Sequence, residues 1–142
     1  MDDERRTGRL PTSQALPSYR HRMNRHQVAT LAAVRTVEIT TIGRRSGRPA
    51  RIEIWWFHFE GRFIITGTPG RRDWLANLRA SPRIVVHALG DDHHGTTTPV
   101  DEPGFRRRFY AQSNPEVHWY TDQAELAELV STAPMIEVRF DE

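Results

Sequence analysis

Cysteine is absent from this chain, so disulfides, thiolate metal sites and a thiol nucleophile are excluded. Lysine is missing as well. All 20 basic residues are arginine, which rules out Schiff-base chemistry. No apolar run approaches the length of a membrane span, and the opening Met1-Asp2-Asp3-Glu4-Arg5-Arg6 has none of the apolar stretch of a signal peptide. A cytoplasmic location, with no integral membrane segment, is the expectation. What is present, 37% hydrophobic and 27% charged residues over 142 positions, fits a soluble globular protein of one domain.

The net charge of +2 hides clustering. Arg44, Arg45, Arg48, Arg51, Arg71, Arg72, Arg79 and Arg83 fall in the middle third with few acids among them. That surplus points to an anionic small molecule or a nucleic acid as partner. The densest part is Thr40-Thr41-Ile42-Gly43-Arg44-Arg45-Ser46-Gly47-Arg48-Pro49-Ala50-Arg51, a glycine-containing turn between two β-branched runs. Gly43 and Gly47 let backbone N–H groups converge on a ligand, Ser46 adds a hydroxyl, and arginine forks suit phosphate or carboxylate. The plain alternative is a solvated hairpin loop that is basic by accident.

Along the chain, residues 1–17 are charged and rich in Ser, Thr and Pro, and read as a mobile arm ahead of a single domain over 18–142. A helix is expected from Ser18, with Tyr19, Met23, Val28, Leu31 and Ala32 on its apolar stripe. Strands follow over 34–42 and 51–59. The second is apolar on both faces from Ile54 to Phe57 and reads as an interior strand. Glu60-Gly61 makes a tight turn into a third strand, 62–68. The period then changes to that of a helix over 71–80, stopped by Ser81-Pro82. A fourth strand covers 83–89, Gly90 to Gly95 reads as a hairpin tip, and a fifth strand covers 96–100. Residues 101–112 read as a helix with Arg106-Arg107-Arg108 on its exposed face, 124–130 as a short helix, and 134–140 as the closing strand. The fold class is α+β, a mostly antiparallel split β-barrel of about six strands with flanking helices. His93-His94 beside Asp91-Asp92 has the residue types of a metal site, but consecutive side chains point apart, so no metal is expected.

The basic turn, the aromatic strand after it, and Trp74-Leu75-Ala76-Asn77-Leu78-Arg79-Ala80-Ser81-Pro82-Arg83 together resemble the deazaflavin-dependent nitroreductase family of actinobacteria. Its members are split β-barrel flavin proteins related to pyridoxamine-phosphate oxidase. The resemblance runs from Val34 to the C-terminus. It implies a redox enzyme using the 8-hydroxy-5-deazaflavin coenzyme F-420, whose phosphate and glutamate tail are anionic. Positions matching the family's cofactor turn are Arg44, Arg45, Ser46 and Gly47, with Arg48 and Arg51 within reach of the same anion. Thr66, Gly67 and Thr68 match the strand end that borders the ring, and Trp74 and Asn77 match the helix after it.

Hydride transfer then needs a planar acceptor, such as a quinone, nitroaromatic or enone, held against the ring. Flat side chains suit flat acceptors, which nominates Trp55, Trp56 and Trp119, with Tyr120 or His118 as proton donor. Packing roles for these aromatics are the plain alternative. Rival readings are an FMN oxidoreductase, a haem- or bilin-binding barrel using His58 or His118, a non-enzymatic deazaflavin carrier, and, ranked last, a nucleic-acid binder. A homodimer that completes the site is a further expectation.

Overall fold

The computed structural model describes residues 23–141. The expected arm and the Ser18 helix start, with Tyr19, lie outside them. The first helix, α1 (Arg25–Ala32), opens at Asn24 in a capping box: the Asn24 side chain accepts the Gln27 N–H and the Gln27 side chain accepts the Asn24 N–H, each at 2.8 Å. Strands β1 (Thr36–Ile42), β2 (Pro49–Trp55), β3 (Phe57–Phe59) and β4 (Arg62–Thr66) follow, then α2 (Asp73–Ala80), β5 (Arg83–Ala88) and β6 (Asp91–Pro99). Three helices, α3 (Pro103–Ala111), α4 (Pro115–Gln123) and α5 (Leu126–Thr132), precede the last strand, β7 (Met135–Phe140). The strands form one antiparallel sheet in the order β2-β1-β5-β6-β7-β4-β3. This is the expected α+β split barrel, with seven strands rather than about six.

The extra strand comes from residues 51–59, which divide at Trp56. β2 forms one edge of the sheet and β3 the other, so this stretch of chain crosses the opening and closes the barrel. Trp56 fastens the crossing: its backbone N–H donates to Arg35 O at 3.0 Å and its indole N–H to Val34 O at 2.8 Å. The expectation of an interior strand is therefore corrected. Ile54 to Phe57 is apolar on both sides because Trp56 enters one core and Phe57 the other, while the rest of β2 is mostly exposed.

A second correction concerns Gly90 to Gly95. The turn is only Leu89-Gly90, both with positive φ (57° and 80°), the pair of conformations that tight hairpins use. Asp91 to Gly95 is already β6, polar because Asp92 and His94 alternate onto a solvent-facing side of the sheet. His93 and His94 thus sit on opposite faces.

Two cores result. Val37, Ile39, Ile65, Ile84, Val86, Ile136 and Val138 fill the inside of the barrel with Trp74, Leu75 and Leu78 of α2. Trp56 stacks on Phe63 there, centroids 4.6 Å apart. On the outer side of β3, β4 and β7, Phe57, Ile64 and Met135 pack against α3, α4 and α5 through Phe105, Phe109, Tyr110, Val117, Tyr120 and Leu129. Each such side chain contributes about 1.5–3 kcal/mol by leaving water.

Candidate functional site

The turn between β1 and β2 is closed on itself and tied to α2. Gly43 N–H donates to Arg48 O at 2.8 Å and Gly47 N–H to Gly43 O at 2.9 Å. Gly47 takes φ 72°, which explains that glycine. Ser46 Oγ accepts the Arg48 N–H at 3.1 Å, so the hydroxyl serves the turn itself. Asn77, buried on α2, is the anchor. Its carbonyl accepts both the Arg44 backbone N–H (3.1 Å) and Arg44 Nη1 (2.9 Å), and its amide donates to Thr41 Oγ1 at 3.2 Å. Arg44 also pairs with Asp73 at 3.3 Å. Asn77→Ala should release the turn, costing about 1–3 kcal/mol of stability through unpaired buried groups. Chemical denaturation of the variant measures that loss.

Beside this turn runs a groove of about 1350 Å³. Its walls are Arg44 and Arg45, the loop Gly70 to Arg72, one side of α2 from Asp73 to Arg79, the start of α3, the end of α5, and β7 as far as Ile136. Six arginines (44, 45, 71, 72, 79, 106) line it against two aspartates, Asp73 and Asp101. Among the described residues, no carboxylate pairs with Arg45, Arg71, Arg72, Arg79 or Arg106. The groove is a field of positive charge, with walls that are partly apolar.

Arg106 departs from the expected exposed face. It is 6% exposed and donates to four main-chain carbonyls: Val130 through Nε, Val100 through Nη1 at 2.9 Å, and Leu129 (3.0 Å) and Ala133 through Nη2. Its charge sits at the C-terminal end of α5, where the helix dipole favours a cation. Phe105, Arg106, Phe109 and Tyr110 share the buried side of α3 while Arg107 and Arg108 point out. The helical spacing from Phe105 to Phe109 was the signal for this, outweighed by the look of a triple-arginine run.

The other expected cofactor residues are distributed as follows. Arg48 is exposed at the turn, whereas Arg51 lies on the outer sheet face paired with Glu38. Thr66 is buried, donating to Pro134 O at 2.6 Å and accepting from the Tyr110 hydroxyl. Gly67 and Thr68 carry the Arg72 side chain, and Trp74 is in the barrel core. Arg71, Arg72, Arg79 and Arg106 join the site instead, of which the first three belong to the clustered surplus.

Of the aromatics, Trp55, Trp119 and Tyr120 come together. Trp55 lies 6.0 Å from Trp119 and 6.5 Å from Tyr120, and Trp119 lies 5.2 Å from Tyr120, all edge to face. Trp55 and Trp119 are 37% and 46% exposed, unusual for such large apolar rings. Trp56 belongs to the core and not to this cluster, because the crossing strand turns it inward. His118 is exposed, its Nε2 3.0 Å from Gln112 O. Burial pushes the Tyr120 phenol up to about 12, helped by Tyr110 and opposed by Arg35 and Arg72. The shift lies above the unfolded value of about 10, so its contribution to stability is complete below that pH and fades as pH rises through the folded value.

Fold and groove define a split-barrel protein with an arginine-lined groove and an exposed aromatic patch. The chain belongs to the F-420H(2)-dependent quinone reductase family, whose model matches residues 14–133. Among solved structures it is similar to an F-420-H2 dependent reductase, FDR-A (16% identity, 73% of this chain and 93% of that one, TM-score 0.56). It is also similar to a FAD-binding protein from Mesorhizobium loti (19%, 81% and 87%, 0.56) and to the conserved hypothetical protein Rv2991 from Mycobacterium tuberculosis (18%, 83% and 81%, 0.58). At these identities the likeness concerns the fold. No curated protein sequence matches the chain. Among the described residues no helix is long and apolar enough to cross a membrane.

Proposed function

We propose that this protein binds the reduced deazaflavin coenzyme F-420 in the basic groove and reduces a quinone seated on Trp55, Trp119 and Tyr120. The observation that carries the reading is the six-arginine lining with only two aspartates, a charge surplus in which Arg45, Arg71 and Arg79 are exposed forks without a carboxylate partner among the described residues and suit an elongated anion bearing phosphate and carboxylates. Family membership supplies the cofactor and acceptor classes.

When bound, the reduced deazaflavin supplies a hydride. The chain's own work is to hold, shield and protonate. Arg45, Arg71 and Arg79 hold the acidic tail, and Asn77 fixes Arg44 and the turn. Trp55 and Trp119 present ring faces and edges to a flat acceptor and exclude water from it. Tyr120, with its ring buried and its phenol protonated throughout the neutral range, donates a hydrogen bond and then a proton to the reduced acceptor.

The test titrates the protein with oxidised and reduced F-420 and with FMN, followed by tryptophan fluorescence, and then assays quinone reduction. Tight binding of the deazaflavin with no FMN binding is the expected result. FMN binding alone would replace the cofactor. Tyr120→Phe should lower kcat about a hundredfold with the F-420 affinity unchanged, and the wild-type profile should show no break from Tyr120 below about pH 10.

A further inference from the structure

One side chain of the basic groove is held in an unusual way. Arg72 occupies the N-cap position of α2 in extended backbone (φ −141°, ψ 132°) and makes no side-chain cap. Its guanidinium turns back over the preceding loop instead. Nη2 donates to Thr68 O at 2.8 Å and to Thr68 Oγ1 at 2.7 Å, and Nη1 to Arg71 O at 3.1 Å. All three acceptors are neutral, so among the described residues the charge is seated without being neutralised.

Two glycines make the seat. A Cβ on Gly67 would lie 3.3 Å from Arg72 Nε and 3.4 Å from Nη2, and one on Gly70 would lie 3.3 Å from Nη1. Arg72 lines the groove, and its seat on Gly67 adjoins Thr66, whose hydroxyl meets that of Tyr110, a ring 6.2 Å from Tyr120; at that remove its charge opposes the rise that burial imposes on the Tyr120 hydroxyl. Arg35 acts on the same hydroxyl, but Glu116 neutralises it at 2.9 Å. Arg72 is therefore the unspent cation of the two.

We propose that Arg72 stabilises the negative charge that appears on the acceptor as it is reduced, working as the electrophilic partner of Tyr120. This rests on the reading of Trp55, Trp119 and Tyr120 as the acceptor seat. A quinone that takes up a hydride from the reduced deazaflavin gains two electrons and one hydrogen and becomes a hydroquinone monoanion, while the coenzyme is oxidised. A proton from Tyr120 completes the hydroquinone, and solvent reprotonates the phenolate. A cation already held by main-chain dipoles needs no reorganisation as that charge develops, which is the arrangement that lowers a barrier most. The same charge eases the phenolate left on Tyr120.

The experiment uses the full chain loaded with oxidised F-420, which has no hydride to give, and measures binding by calorimetry. The probes are 1,4-naphthoquinone, which is neutral, and 2-hydroxy-1,4-naphthoquinone, a vinylogous acid that is an anion at neutral pH and imitates the charged product. Wild type should bind the anion about tenfold more tightly, ~1.4 kcal/mol. Arg72→Gln should bind both probes equally, with the neutral affinity within about twofold of wild type, while Arg72→Lys keeps part of the preference. In turnover Arg72→Gln should lower kcat while KM for the quinone holds. A preference that survives in Arg72→Gln, or is missing from wild type, overturns the role of Arg72 and leaves the acceptor seat standing. Failure of the wild type to bind the neutral quinone, or binding that Trp119→Ala leaves unchanged, overturns the acceptor seat and the Arg72 role together.

Discussion

Replacing Arg45, Arg71 and Arg79 together by glutamine will weaken F-420 binding about a thousandfold, roughly 1.4 kcal/mol for each guanidinium removed. Thermal stability will scarcely move, because all three side chains are exposed and none has a carboxylate partner among the described residues. The two readouts separate a ligand-holding role from a structural one. Salt offers an independent check. Wild-type affinity should fall as ionic strength rises and exposed charges are screened, and the triple variant should lose most of that dependence. Fluorescence titration at two salt concentrations measures both effects. An affinity within a factor of three of wild type would mean that the tail is not held in this groove.

The largest stability effect belongs to Arg106. Arg106→Met removes the donors for the carbonyls of Val100, Leu129, Val130 and Ala133 and leaves these acceptors where water enters poorly. The cost is about 4 kcal/mol, a fall in Tm of about 15 °C for a domain of this size. Lysine in the same place rescues little, since an ammonium lacks the planar fork that reaches several carbonyls at once. Arg107→Met, the exposed neighbour, stays within about 0.5 kcal/mol. Differential scanning calorimetry of the pair is decisive: equal melting temperatures would show that the buried guanidinium is not holding the end of α5.

Much of the fold can be read in the chain because its local rules agree. The β1–β2 hairpin announces itself by β-branched runs around Gly43 and Gly47, and α2 by the shift of Trp74, Leu75 and Leu78 to helical spacing. The basic turn was legible as a tight, arginine-rich connection for the same reason, but the Gly43 and Gly47 N–H groups and the Ser46 hydroxyl, expected to converge on a ligand, are taken up inside the turn itself. Elements shaped by tertiary context were harder. α4 starts at a proline after Asn114, whose side chain caps it by accepting the Glu116 N–H, yet only Val117 and Tyr120 of that helix are buried, too short a stripe to show a period. The polar residues of β6 conceal a strand because they face solvent and the partner strands supply the pairing. The second half of the groove wall lies more than fifty residues from the turn, so nothing local ties Arg106 or Ala133 to Arg45.

The strand that closes the barrel also measures it. β2 leaves the basic turn at Pro49 and ends at Trp55 in the aromatic patch, so its seven residues set a fixed span of about 20 Å from the arginine turn to the exposed tryptophans. Like a ruler laid between two stations, it fixes how long a molecule must be to touch both. Lengthening β1 and β2 by two residues each would add about 7 Å to that gauge and part the stations without altering either.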